Sequence, residues 1–286
     1  MGKIGIIGGS GLYDMEELED KKWVKLTTPF GEPSDEFLQA MLEGVEVVFL
    51  PRHGRGHKFS PSEINYRANI YGMKYLGVER IISVTACGSL KKEIKPLDFV
   101  VPRQFVDRTN QARCNTFFSE GIVAHVGFAS PVCKDLANVV YEQARKAGVT
   151  VHPEGTYLNM EGPQFSTLAE SNLYRSWGLD IIGMTNMTEA RLAREAEICY
   201  ATLAAVTDYD CWHSEEEPVT VEAILSNLRQ NVRNAKNILK LAIQAVGDKR
   251  SCLCKEALKF AIATNSKYIP EQTKEKLKII IGKYIK

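Results

Sequence analysis

No stretch of this 286-residue chain reaches the ~18 consecutive apolar residues that a membrane-spanning helix requires. An excess of one charge sign is missing as well. Lys and Arg number 36 against 35 Asp and Glu, a formal net charge of +1, so nothing advertises a nucleic-acid partner. Basic residues crowd only 249–286, where a solvated amphipathic tail is the plainer reading. A signal-peptide pattern is lacking, because Lys3-Ile4-Gly5-Ile6-Ile7 is a short strand running straight into glycines. These absences predict a cytoplasmic protein with neither a membrane nor a nucleic acid as partner. Repeats, low-complexity tracts and linkers are also wanting, and the length suits one large α/β domain.

Several catalytic signatures are missing too. No Walker lysine follows a glycine loop, and no serine sits in a Gly-x-Ser-x-Gly elbow, which speaks against an NTPase and a hydrolase. Gly8-Gly9-Ser10-Gly11 begins like a dinucleotide fingerprint, but Asp14 holds the third glycine position and would meet a pyrophosphate with a carboxylate. A nucleotide-binding oxidoreductase is therefore a weak rival. The seven cysteines, at 87, 114, 133, 199, 211, 252 and 254, are odd in number and lack the spacing of a zinc site. Cys252-Leu253-Cys254 is too tight for a usual ligand pair, though it could close into a small strained disulfide. Buried free thiols are the plain expectation for all seven.

What the chain does have is alternation of strand and helix patterns. Strand-like runs fall at 4–7, 45–50, 80–86, 99–105, 157–161, 180–184 and 202–207. Helical patterns fall at 64–76, 131–147, 167–177, 190–197, 219–246 and 271–284, the third opened by a capping box of Thr167 and Glu170. The longest carries Val221, Ile224, Leu225, Leu228, Val232, Ala235, Leu239, Ala242 and Val246 at steps of three and four, one buried stripe. Strands alternating with helices predict an α/β fold with a mostly parallel or mixed sheet. Ligands in such sheets gather at the loops leaving strand ends, here those after Ile7, Leu50, Val84 and Val206.

Those loops carry chemistry. Glycines around Ser10 let backbone N–H groups approach an anion. Pro51-Arg52-His53-Gly54-Arg55-Gly56-His57 adds guanidinium forks suited to a phosphate. Thr85-Ala86-Cys87-Gly88-Ser89 supplies hydroxyls and a glycine. The fourth loop ends an apolar run in Asp208 and Asp210, which strand alternation would put on one face. Paired carboxyls tend to keep a proton between them and suit an adenine edge, which offers an amino donor and a basic ring nitrogen. The bland alternative is that both acids cap a turn.

The spaced motifs GIIGGSGLYD, PRHGRGH, NYRANI, TACGSL, EGPQFST, GMTN followed by Glu189, and VTDYDCW occur in order from about Ile4 to about Val246. Together they resemble the 5'-methylthioadenosine phosphorylases of the trimeric purine nucleoside phosphorylase family. The resemblance implies a single α/β domain with a central mixed, strongly twisted β-sheet flanked by helices, residues 1–250 forming the phosphorylase domain and 251–286 a C-terminal helical extension of it. It implies phosphorolysis of methylthioadenosine to adenine and 5-methylthioribose-1-phosphate, a step of purine and methionine salvage. No metal or organic cofactor is implied, phosphate being a substrate.

By motif position, Ser10, Arg52, His53, Thr85, Ala86 and Thr185 would surround phosphate. Met184 would meet the ribose, Phe165 and Ser166 the base and sugar, and Asp208 and Asp210 the adenine edge. Val221 and Ile224 would form a slot for the methylthio group. His125 would reach a neighbouring subunit's sugar, in a homotrimer or hexamer with shared sites. The family also implies disulfides Cys133–Cys199 and Cys252–Cys254, as in its heat-loving archaeal members. Relatives that use 6-oxopurines typically carry Asn where this chain has paired aspartates. A purine nucleoside or methylthioinosine phosphorylase is thus the nearer rival, and a non-catalytic nucleoside-binding protein a further one. Adenosine is expected as a secondary substrate, since burial of one extra apolar group discriminates only ~10–200-fold.

Overall fold

The computed structural model describes residues 2–9, 11–110, 113–213 and 221–285, the side chains of 221–225 excepted. Among them eleven strands join in one mixed sheet: β1 (Lys3–Gly8), β2 (Glu19–Val24), β3 (Phe37–Leu42), β4 (Val45–Pro51), β5 (Val78–Ser89), β6 (Phe99–Val100), β7 (Gln104–Arg108), β8 (Val151–His152), β9 (Thr156–Met160), β10 (Ile181–Gly183) and β11 (Cys199–Asp208). The helices are α1 (Tyr66–Tyr75), α2 (Lys134–Lys146), α3 (Leu168–Ser176), α4 (Asn186–Glu195), α5 (Val221–Ala245), α6 (Glu271–Lys276) and α7 (Lys278–Ile281).

Strand β5 organises the sheet. β1 runs parallel to its first half, from Lys3 opposite Val78 to Ile7 opposite Ser83. β10 then runs antiparallel to its last residues, Ile182 opposite Gly88 and Ile181 opposite Ser89. β11 lies parallel along the other edge from Cys199 opposite Arg80. One edge of β5 thus changes partner part-way, and β1 and β10 diverge. A change of partner of this kind opens a crevice at strand ends, where α/β sheets hold ligands. Nine of the ten residues of β11 are buried, in keeping with helices over both faces of a largely parallel region. α2 and α5 pack on each other and on β11, and α4 packs on β5, β7 and β11. The apolar stripe of α5 enters the main core through Ala235, Ile238, Leu239 and Ala242. Leu258, Ile269, Leu277 and Ile281 join that same core, so the C-terminal segment shares it with the sheet.

Local chemistry explains where elements begin and end. The 167–177 pattern is a helix opened by the expected capping box: Glu170 N–H donates to the Thr167 hydroxyl, and Thr167 N–H to the Glu170 carboxylate at 2.8 Å. The 99–105 run divides into β6 and β7 around Pro102, which has no N–H to donate to a ladder. The 190–197 helix starts earlier, at Asn186, with Thr185 at its N-cap. The 271–284 helix is broken at Leu277 into α6 and α7. The expected loop at 85–89 is strand, because β10 and β11 pair with it. β2 and β3 were not expected; β2, Glu-Asp-Lys-Lys-Trp-Val, is an exposed edge strand without apolar alternation.

The implied disulfides Cys133–Cys199 and Cys252–Cys254 are not formed, and all four residues are free thiols. Cys133 is the N-cap of α2, Cys199 begins β11, and the C-terminal segment brings the other two to the same point. The sulfurs make one group rather than two pairs, with the Cys199 and Cys252 Sγ atoms 3.3 Å apart.

Candidate active site

The crevice beside β5 is a cleft of about 720 Å³, a usual size for a small-ligand site. Five strand ends supply its wall: Gly9 after β1, Arg52 and His53 after β4, Thr85, Ala86 and Gly88 from β5, Met184 and Thr185 after β10, and Asp208 at the end of β11 with Asp210 just beyond it. Phe165 lines it too, and so do Leu228 and Val232 of α5. The arginine–histidine loop and the paired acids, which the sequence separates by some 150 positions, therefore share one cavity. Ser166 lies beside the Asp210 carboxyl. His125 is exposed and not part of the lining, its N–H donating to Ala261 O at 2.8 Å. Ser10 and the side chains of Val221 and Ile224 fall outside the described residues.

The acids meet by a route that differs from strand alternation. The β11–β5 register slips between Val206, opposite Cys87, and Asp208, opposite Gly88, so Thr207 is an extra residue that re-aims Asp208. The strand ends there, and Asp210 follows in the left-handed region at φ 56°. Asp210 N–H donates to Asp208 Oδ1 at 2.8 Å, and the Thr207 hydroxyl donates to Asp208 Oδ2 at 2.6 Å. The turn-capping role and the paired-acid role thus coexist in Asp208. A Cβ at Gly88 would lie 3.0 Å from Asp208 Oδ1, so any larger residue there would crowd the carboxyl. Burial raises the pKa of Asp208 against the lowering pull of its two donors. Burial also raises that of Asp210, with the neighbouring Asp208 charge adding to it. Asp210 Oδ2 is buried and, among the described residues, makes no hydrogen bond of good geometry, although the Ser171 and Ser166 hydroxyls beside the carboxyl act to lower its pKa. An orphaned acceptor in such a wall costs about 1–3 kcal/mol unless a ligand donates to it.

At the other end of the cleft, Arg52 behaves differently from the open fork expected of it. Its side chain is 3% exposed and forms a two-pronged ion pair with Glu189 of α4. Nη1 donates to Val84 O at 3.1 Å and Nη2 to Ser83 Oγ at 2.5 Å. Burial favours loss of its proton, but the Glu189 charge and hydrogen bonds outweigh that and hold it cationic. A buried guanidinium must be paired, and acceptors among the described residues engage four of its five N–H hydrogens. Glu189 also accepts from Tyr200 and Ser83 at 2.8 Å each. Asn186 Nδ2 donates to Ser83, Tyr200 and Thr202 within 3.1 Å, closing a buried network beneath the cleft. His53 is neutral: burial, with the Arg52 charge, pulls its pKa down to about 4. Its Nδ1–H donates to Phe59 O at 2.8 Å, since a carbonyl can only accept, and Nε2 is left as an acceptor.

Ser83 and Tyr200 drew no functional reading from the sequence, and Asn186 and Glu189 entered it only as parts of a family motif, with no role of their own. A glutamate one turn into a helix, far from any arginine in the chain, carries no local signal of its partner. Asn231 escaped notice for the same reason. It sits on α5, 1% exposed, lines the cleft, and donates from Nδ2 to Val206 O at 2.8 Å. Its Oδ1 has no partner among the described residues.

A family model, the phosphorylase superfamily, matches residues 3–244. The S-methyl-5'-thioadenosine phosphorylase of Geobacter sulfurreducens is 58% identical over 282 residues, 99% of this chain and 99% of that protein. Its counterpart from Koribacter versatilis is 60% identical over 282 residues, 99% of this chain and 96% of that one. Among solved structures, a methylthioadenosine phosphorylase from an Antarctic soil metagenomic library gives a TM-score of 0.93 at 48% identity, covering 97% of this chain and 98% of that one. The methylthioadenosine phosphorylase from Schistosoma mansoni in complex with adenine gives 0.84 at 40% identity, covering 91% and 96%.

Proposed function

The chain belongs to the phosphorylase superfamily, and we propose that its cleft converts methylthioadenosine and phosphate to adenine and 5-methylthioribose-1-phosphate, with adenosine as a secondary substrate. One observation supports this reading above the others. A buried pair of carboxyls with raised pKa values, one oxygen of Asp210 unpartnered, shares a cavity with Arg52 and His53.

Cleavage of an N-glycosidic bond leaves positive charge on the ribose and negative charge on the departing purine. Only contacts stronger in that transition state speed the reaction. Phosphate held near Arg52, Thr85, Ala86 and Thr185 supplies the nucleophile, and as an anion it faces the forming cation. Neutral His53 accepts at Nε2 from the hydroxyl of a monoprotonated phosphate. At the base, Asp210 Oδ2 accepts from the 6-amino group, and protonated Asp208 gives its proton to N7. The O–H bond of Asp208 breaks as the N7–H bond forms, and adenine leaves neutral. The acceptor role of Asp210 favours a 6-amino over a 6-oxo purine. Met184, Phe165 and Ser166 hold the ribose and base. The methylthio group meets α5, whose Leu228 and Val232 line the cleft, and Val221 and Ile224 are assigned to the same slot. His125 completes the site of a neighbouring protomer in a trimer or a hexamer. No metal or organic cofactor takes part in this scheme.

A purine-base release assay with methylthioadenosine, adenosine and inosine, reading adenine or hypoxanthine, each with and without phosphate, tests the proposal. Phosphate-dependent release is expected from methylthioadenosine, less from adenosine, and least purine from inosine. Equal release without phosphate would replace phosphorolysis with hydrolysis, and a preference for inosine would remove the amino-group role of Asp210.

A further inference from the structure

The thiols that the reaction leaves unused converge on one point. Cys133, Cys199, Cys252 and Cys254 place all four Sγ atoms within 4.8 Å of one another. We propose that these four cysteines bind a single zinc ion that pins the C-terminal segment to the sheet.

The geometry fits one ion. Four thiolates at about 2.3 Å from a tetrahedral zinc stand about 3.8 Å apart, a spacing the cluster brackets. A polynuclear iron–sulfur cluster spreads its thiolates wider. Tetrahedral all-sulfur shells select zinc among common divalent ions. Three of the four residues are buried, and they sit at the edge of the main core, where water competes little for the ion. The framework is rigid. Cys133 caps the N-terminus of α2, Cys199 begins β11, and Cys252 caps the 3-10 turn Leu253–Glu256 that holds Cys254. Helix N-termini point N–H groups and positive dipole ends at a thiolate. Binding exchanges four S–H bonds for four Zn–S bonds and releases four protons, so the completed centre carries two negative charges. The guanidinium of Arg250 lies against Cys199 and Cys252, with its Nε buried and without a hydrogen-bond partner, and supplies a compensating positive charge. The site closes a loop between the sheet and a segment that holds Leu258, Ile269 and Leu277 in the core. That gives the tail a task the reaction does not.

Zinc content of the purified, untagged protein is measured by plasma mass spectrometry. On the order of one ion per chain is expected, falling to near zero in a Cys252→Ser, Cys254→Ser double variant that still releases adenine. A second measurement does not depend on the variant. Chelator-stripped, reduced wild type is titrated with cobalt(II), and thiolate-to-cobalt charge-transfer bands with tetrahedral visible bands are expected at one equivalent. Absence of both zinc and cobalt bands would overturn the proposal. An intact mass lighter by four hydrogens, marking two disulfides, would overturn it equally.

Discussion

The acid role proposed for Asp208 requires a carboxyl that keeps its proton, and burial shifts its pKa in that direction. The protonated fraction falls as pH rises through that raised value, so turnover falls on the alkaline side. Asp208→Asn is expected to lower kcat by about 10²–10⁴-fold with little change in KM for the nucleoside. It should also erase the Asp208 contribution to the alkaline limb of the pH–rate profile. A change confined to KM would take Asp208 out of the acid role. Glu195 offers a separate test of buried acidity. It is 6% exposed and accepts from Phe117 N–H and the Thr116 hydroxyl at 2.7 Å, yet burial lifts its pKa to about 7. The folded state therefore holds this proton more tightly than the unfolded chain does. That contribution is complete below the ordinary carboxyl value and is lost as pH rises through about 7. It amounts to about 3 kcal/mol at most. Glu195→Gln should flatten the dependence of unfolding free energy on pH between 5 and 8, measured by denaturant titration.

At the scale of elements, the Arg52–Glu189 pair joins the end of β4 to α4, and Ser83 joins both to β5. Three elements that form the Arg52 end of the cleft are thereby held to one network, with Tyr200 of β11 as a fourth. Removing one charge leaves the other buried and unpaired, which costs about 3–5 kcal/mol. Glu189→Gln is expected to lose stability on that scale and to raise KM for phosphate more than KM for the nucleoside. Loss of stability with an unchanged phosphate KM would mean that the network holds the fold without positioning the anion. The bulge in β11 is the counterpart at the base end, since it sets the aim of Asp208.

At the scale of the whole molecule, several large apolar side chains remain uncovered in the single chain. Phe260 is 93% exposed, Leu253 83%, Tyr268 79% and Phe165 70%. The trimer or hexamer proposed above would offer such side chains a partner surface. Phe165 also lines the cleft, so an approaching protomer there would change the site as well as cover it. Sedimentation equilibrium is expected to give three or six times the 32.0 kDa chain mass. A stable 32.0 kDa species with full activity would dismiss the shared site assigned to His125.

The strand ends that carry the site were legible in the chain because buried strands and glycine loops are local patterns, read from neighbours in sequence. Arg52, His53, Thr85 and the two aspartates could be singled out that way, and so could the capping box at Thr167. Three things belong to tertiary structure alone. The turn of Arg52 toward Glu189 depends on a residue 137 positions away, and only burial forces that charge to be paired. The meeting of Asp208 and Asp210 depends on a slipped register against β5 and a left-handed residue, neither of which alternation predicts. The four cysteines show no metal spacing along the chain, yet packing of the C-terminal segment on α2 and β11 draws their sulfurs within 4.8 Å. Local pattern determined which elements form and which loops carry chemistry. Contacts between residues remote in sequence decided what each charged or sulfur-bearing group faces, because burial leaves such groups stable only where the fold supplies a partner.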